Sequence, residues 1–265
     1  DFEKFPPEVS HVKNVPCSVI GPPTCVAVTS DQSMILVSSS MKVDPYNPDQ
    51  QIPDNRFSVV TFQDGEPQLS RQIRVGNQPS GVSISPNDKF AVVANRADGT
   101  VSLLSVRSDA VRIIDTLKVA GAEDSVSDVE FMPDGKRILV SISGQGSLAV
   151  LHLSDNELKD SGERLKVGDV PYEVDVSPDG KLALVANVGP HDNTIAVIDM
   201  TGEKPEVVDK IYTAPSPEGV TFSPDGQHVV VSCLQHTHAK VDDPKRQEQG
   251  QVVFMKRDGN ILGIV

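Results

Sequence analysis

Apolar and polar positions alternate along most of the chain in short runs, and each run is closed by Gly, Pro, Asn or Asp. The segment Ser177–Met200, "SPDGKLALVANVGPHDNTIAVIDM", shows the pattern clearly. Just before it, "EVDVS" places Val174 and Val176 on one face. Pro178-Asp179-Gly180 then supplies turn chemistry: proline presets φ and glycine tolerates positive φ. "LALVAN", the loop "VGPHDN", "TIAVIDM" and "VVDKIYT" follow. Run length, β-branched content and turn spacing predict strands, and no segment sustains an apolar period of 3.6.

The unit recurs. The second position of the "S-P-D-G" turn and its variants falls at Ser30, Pro86, Pro133, Pro178 and Pro224, at intervals of 56, 47, 45 and 46 residues. The first interval is longer because of an insertion, Met41 to Asn55, which reads as a loop rich in Pro, Asp and Asn. Val174 and Val176 have counterparts at Val26 and Val28, Val82 and Ile84, Val129 and Phe131, and Val220 and Phe222. Four antiparallel strands in a unit of about 45 residues predict an all-β fold, a β-propeller whose blades stack to bury both faces of each sheet. The expected organisation is one domain over 1–265. Residues 1–21 ("SHVKNVP" among them) form the outer strand of a preceding blade, and blades follow at approximately 22–78, 79–124, 125–170, 171–216 and 217–265.

At this point "SPDGKLALVAN…NTIAVIDM" resembles the YVTN-type repeat of surface-layer-like and lactonase-like seven-bladed propellers, over Pro22 to Val265. The resemblance implies seven blades, roughly 320 residues at this period, with about two blades beyond the C-terminal side; a compact five-blade ring is the alternative. An open arc would expose two apolar blade faces. The resemblance also implies a periplasmic or secreted protein. It brings lactone hydrolysis, or the related muconate-cycle lactonising activity, into view at the channel mouth. Lactonase-like relatives often read "GPRH" where the inner strand starts. The matching positions here read "QPSG", "VPYE" and "SPEG", without the Arg-His pair.

Charge narrows the partners. Lys and Arg number 24 against 37 Asp and Glu, a formal net charge of -13. Such a surface repels nucleic acid phosphate. No apolar run approaches the roughly 18 residues of a transmembrane helix. There is no G-x-S-x-G, phosphate loop, dinucleotide fingerprint or C-x-x-C-H haem motif. With no Trp and three Tyr, no aromatic cage is evident. Cys17, Cys25 and Cys233 form no CxxC pair. Cys17 and Cys25 could bridge, but all three read best as small buried apolar residues.

Candidate chemistry gathers at the channel mouth. The inner strands open with "PTCV", "PSGV", "VSDV", "PYEV" and "PEGV", which sets Asp128, Glu173 and Glu218 at equivalent or adjacent positions around the mouth. Converging carboxylates can bind a cation, or act as acid and base with pKa values raised by mutual repulsion. The loop Leu234–Gly250 carries His236, His238, Asp242 and Asp243, candidate ligands for a divalent metal ion, Ca or Zn. Arg56, Asn95, Arg96, Tyr172, Asn187, His191 and Asp192 are expected on the binding face. Asn95 and Asn187 there are expected to bond their own loops and to tolerate a left-handed backbone. The pattern supports first a non-catalytic scaffold binding a protein, glycan or small ligand. The alternative is a lactonase-like hydrolase or lactonising enzyme at the mouth. A third possibility is an accessory propeller for periplasmic redox enzymes, for which no cofactor ligand set is present.

Overall fold

A computed structural model describes residue 15 and residues 25–107, 110–237, 239–259 and 261–265. The strand expected over 1–21 and the residue Cys17 lie outside these residues, apart from Val15, which is half-buried. Among the described residues, twenty strands form five four-stranded antiparallel sheets, each ordered along the chain. The first holds β1 (Val26–Val28), β2 (Met34–Asp44), β3 (Asn47–Gln63) and β4 (Glu66–Arg74). The second holds β5 (Pro79–Ile84), β6 (Phe90–Asn95), β7 (Thr100–Arg107) and β8 (Ala110–Lys118). The third holds β9 (Val126–Phe131), β10 (Arg137–Ile142), β11 (Ser147–Ser154) and β12 (Glu157–Lys166). The fourth holds β13 (Pro171–Val176), β14 (Leu182–Asn187), β15 (Thr194–Asp199) and β16 (Glu206–Tyr212). The fifth holds β17 (Pro217–Phe222), β18 (His228–Cys233), β19 (Gln251–Asp258) and β20 (Ile261–Ile264). The inner strands β1, β5, β9, β13 and β17 lie side by side in that order. This is the β-propeller arrangement.

The insertion is not a loop. β2 and β3 extend into it as a hairpin, pairing Met41 with Pro53, Lys42 with Ile52 and Val43 with Gln51. Its side chains are largely exposed, so it has no apolar face for periodicity to reveal.

The turn between the two innermost strands shows why the sequence repeats. The Ser177 hydroxyl accepts from the Leu182 N–H at 2.9 Å and donates to Asp179 Oδ1 at 2.7 Å. Ser85, Ser223 and Thr29 accept in the same way from Phe90, His228 and Met34. The third unit has Met132 instead, and Asp134 closes the turn on Arg137, by its backbone N–H and by an ion pair at 2.7 Å. The turn glycines Gly135, Gly180 and Gly226 have φ of 65, 68 and 68° and face Pro86, Pro133 and Pro178 of the preceding turn. The turns therefore stack from sheet to sheet. Ser177→Ala is expected to cost about 1–2 kcal/mol, because the Leu182 N–H loses its side-chain acceptor in a buried setting. Thermal denaturation checks this.

Four apolar clusters lie between successive sheets. Leu36, Phe57, Val93 and Leu104 join the first and second, and Val92, Leu103, Ile138 and Leu151 the second and third. Leu139, Val150, Val185 and Ile198 join the third and fourth, and Leu184, Val197, Val231 and Met255 the fourth and fifth. Outer faces differ. Val26 and Val28 on the first sheet, and Val252 and Phe254 on the fifth, are each about half exposed. The counterparts of the last two, Ile195 and Val197, are buried against the fifth sheet. Among the described residues no helix is long and apolar enough to cross a membrane.

Candidate active site at the channel mouth

An inner strand pairs on one side only, so some of its N–H groups need an acceptor from elsewhere. The preceding sheet supplies it. Asp128 Oδ2 accepts from the Val174 N–H at 2.9 Å, and Asp175 Oδ2 from the Phe222 N–H at 2.6 Å. Ser83 Oγ accepts from the Phe131 N–H at 3.1 Å. The Val220 N–H donates to Glu173, and the Val82 N–H to Cys25. These side chains fall at two registers of the inner strand. Cys25, Asp128 and Glu173 occupy the first; Ser83 and Asp175, with Glu130, occupy the second.

The first register lines a cavity of about 30 Å³. Cys25 comes from the first sheet, Ser80 and Gly81 from the second, Ser127 and Asp128 from the third, Tyr172 and Glu173 from the fourth. Gly81 is required by close approach: a Cβ there would lie 2.6 Å from the Asp128 Cα and nearer still to its Oδ1. Hydroxyls seal the rim. Ser80 donates to the Ser127 carbonyl, Ser143 to Pro171 at 2.6 Å and Ser141 to Tyr172. Ser127 and Ser143 share a hydrogen bond between their hydroxyls.

Four carboxyls crowd this seam. Burial, then the neighbouring Asp175 charge, pushes Asp128 up to about 7. Burial, then Asp128 and Asp175, pushes Glu173 up to about 8. Glu130 is held well above the usual carboxylate range by burial and by Asp175 and Asp128, and burial raises Asp175. Burial also raises the Cys25 thiol, with Asp128 and Glu173 adding to it. The Arg96 guanidinium carbon stands 5.5 Å from the centroid of the Tyr172 ring. Burial raises the Tyr172 phenol; Arg96 opposes the shift and Glu218 adds to it.

The structure thus brings Asp128, Glu173, Tyr172 and Arg96 together, with Glu218 beside the phenol. It disperses the other candidates. Asn95 and Asn187 are fully buried and in strand conformation, not on a binding face and not left-handed. Asn95 Nδ2 donates to Thr100 and Ser102, Asn187 Nδ2 to Val167 and Thr194, and they pack on Gly76 and Gly168. Arg56 is held by buried Asp54 at 2.6 Å. Asp192 accepts from the Asp169 N–H at 2.7 Å and bonds Thr194, so it organises its own turn, while His191 is exposed. Asp243 accepts from the Lys245 N–H in its own turn, Asp242 is exposed, and His238 lies outside the described residues. Among the described residues no three His, Cys, Asp or Glu side chains are gathered so as to hold a metal ion, neither at His236, Asp242 and Asp243 nor at the mouth. Cys25 and Cys233 are free thiols, Cys233 in the core between the fourth and fifth sheets.

Sequence reasoning missed Glu130 and Asp175. The signal was available: in "DVEF" and "EVDV" each stands two residues beyond Asp128 or Glu173, on the same face of an inner strand.

Comparison with known proteins bears on the fold. The sequence model of the family described as "Lactonase, 7-bladed beta-propeller" matches residues 109–222, a span that contains Asp128, Tyr172, Glu173 and Glu218. The match spans less than half of the chain. No curated protein matches the sequence. Among solved structures, a candidate 6-phosphogluconolactonase of Bacteroides fragilis is 18% identical with a TM-score of 0.71; the alignment covers 92% of this chain and 70% of that one. The periplasmic gluconolactonase of Pseudomonas aeruginosa is 17% identical with a TM-score of 0.66, covering 97% and 73%. Hydrazine synthase of Kuenenia stuttgartiensis is 17% identical with a TM-score of 0.69, covering 97% and 68%. At these identities the likeness is one of fold.

Proposed function

We propose that the protein hydrolyses a lactone at the channel mouth, with Asp128 as general base and Glu173 as general acid. The observation that carries this is the Asp128–Glu173 pair: two carboxyls on adjacent inner strands, facing one cavity, with pKa values brought near neutrality. A cavity of this size has room for about one water. Asp128 Oδ2 is occupied by the Val174 N–H, which leaves Oδ1 to take a proton from that water as it attacks the lactone carbonyl. Glu173, protonated at pH 7, gives its proton to the ring oxygen as the acyl–oxygen bond breaks. The product is the hydroxy acid. Proton exchange with solvent returns Asp128 to the ionised and Glu173 to the neutral form. Two carboxyls held at different protonation states are what acid–base work near pH 7 needs.

The lactonase family match and the gluconolactonase-type neighbours support this reading above a non-catalytic scaffold. The test is a pH-stat screen of the purified protein against five- and six-membered sugar lactones, with the spontaneous rate subtracted. At least one lactone is expected to open faster with protein present, in proportion to protein added. Rates equal to the spontaneous rate across the panel would return the mouth to a binding role.

A further inference from the structure

The cavity that holds the two carboxyls is too small for any lactone. Small-molecule sites run to roughly 300–1,000 Å³, against about 30 Å³ here. What closes it is visible. Tyr172, second residue of β13 in the fourth sheet, lines the cavity together with Cys25 of the first sheet. Its phenol lies near enough to the Cys25 thiol for the thiol to bear on the phenol's ionisation. Arg96, the residue after β6 in the second sheet, lies over the same ring. Tyr172 therefore crosses the mouth, and an arginine two sheets away holds it there.

We infer that Tyr172 and Arg96 form a gate over the Asp128–Glu173 cavity, closed in this structure, and that ligand enters only when the ring swings out. The latch is weak enough to work as one. An arginine–tyrosine stack is worth about 0.5–2 kcal/mol, and a side-chain swing of this kind takes nanoseconds to microseconds. Closed, the gate keeps bulk water from the carboxyls. Open, it admits a ring to the space that the phenol vacates. The gate rests on the shared cavity lining and the Arg96–Tyr172 contact; only the identity of what it admits rests on the lactone reading.

Cys25 reports the gate without any turnover, because it lines the same cavity as the ring. Alkylation by iodoacetamide at pH 8, followed peptide by peptide by mass spectrometry, measures access. Tyr172→Ala is expected to speed Cys25 modification at least tenfold, and Arg96→Gln several-fold. Tyr172→Phe, which keeps the ring and its stack, should stay within about twofold of wild type. Cys233 should react no faster in any variant, showing an intact core. Equal Cys25 rates in wild type and Tyr172→Ala would overturn the gate. So would a rise in Cys233 that tracks Cys25, since that is general loosening. A closed gate with no lactone turnover would leave the gate standing and remove the hydrolase; turnover with an unguarded Cys25 would do the reverse.

Discussion

The melting temperature of this protein is expected to fall by on the order of 10 °C as the pH is raised from 5 to 8.5. Asp128 and Glu173 keep their protons up to about 7 and about 8 in the folded state, chiefly because burial disfavours their charged forms. In the unfolded chain both ionise near pH 4. Between those limits the native state binds more protons than the unfolded state, so stability declines as pH rises. The contribution is full below about pH 4 and gone above about pH 8. For Asp128 alone it is on the order of 4 kcal/mol, and a domain of this size loses about 2–4 °C per kcal/mol. The two carboxyls interact and titrate as a pair, so their contributions do not simply add. The acid flank slopes the other way. Hydrogen bonds and ion pairs hold Asp54 and Asp134 below the usual carboxylate range, against the opposing effect of burial, and Asp179 down to about 2. Their stabilisation is present above pH 4 and lost as the pH falls. The optimum therefore lies near pH 5. Asp128→Asn keeps an oxygen for the Val174 N–H and removes the charge, so it should flatten the alkaline slope. Thermal melts at a series of pH values check this, and a melting temperature constant or rising from pH 5 to 8.5 would contradict it.

Glu173→Gln is expected to lower kcat for the best lactone by about 10²–10⁴-fold, the range for loss of a general acid or base. Gln retains an oxygen for the Val220 N–H that Glu173 accepts, so the clasp between the fourth and fifth sheets survives. KM should change little, because the lost proton transfer belongs to the transition state. At pH 8 the variant should melt no lower than wild type, since a neutral amide replaces a carboxyl about to ionise. Parallel rate and melting measurements separate the two effects. A variant that melts normally and hydrolyses at the wild-type rate would remove Glu173 from the chemistry.

Much of this fold was legible in the chain. "LALVAN" is β14 residue for residue, and the turn serine, aspartate and glycine recur because each performs a bond or a backbone conformation that most of the turns use. The extended hairpin at Met41–Asn55 was not legible: its side chains are largely exposed and give it no apolar face, so alternation carries no signal. Asp128 and Glu173 could be aligned from the strand starts. Glu130 and Asp175 were hidden by a rule that fails in this architecture, where a polar position on an inner strand faces the next blade and not water. The Arg96–Tyr172 contact joins residues from the second and fourth sheets, a proximity that only the curvature of the ring creates. Asn95 and Asn187 looked like loop residues because they end a strand, yet each is buried under a glycine of the connection that leads in from the preceding sheet.

The most direct test of the central claim is the pH dependence of kcat/KM for the lactone that responds best. An ionised base near pH 7 and a protonated acid near pH 8 predict a bell with its maximum between those values. Coupling between the two carboxyls would make the limbs properties of the pair. A rate that merely follows spontaneous hydrolysis, or one governed by a single ionisation near pH 4, would contradict the assignment of Asp128 and Glu173.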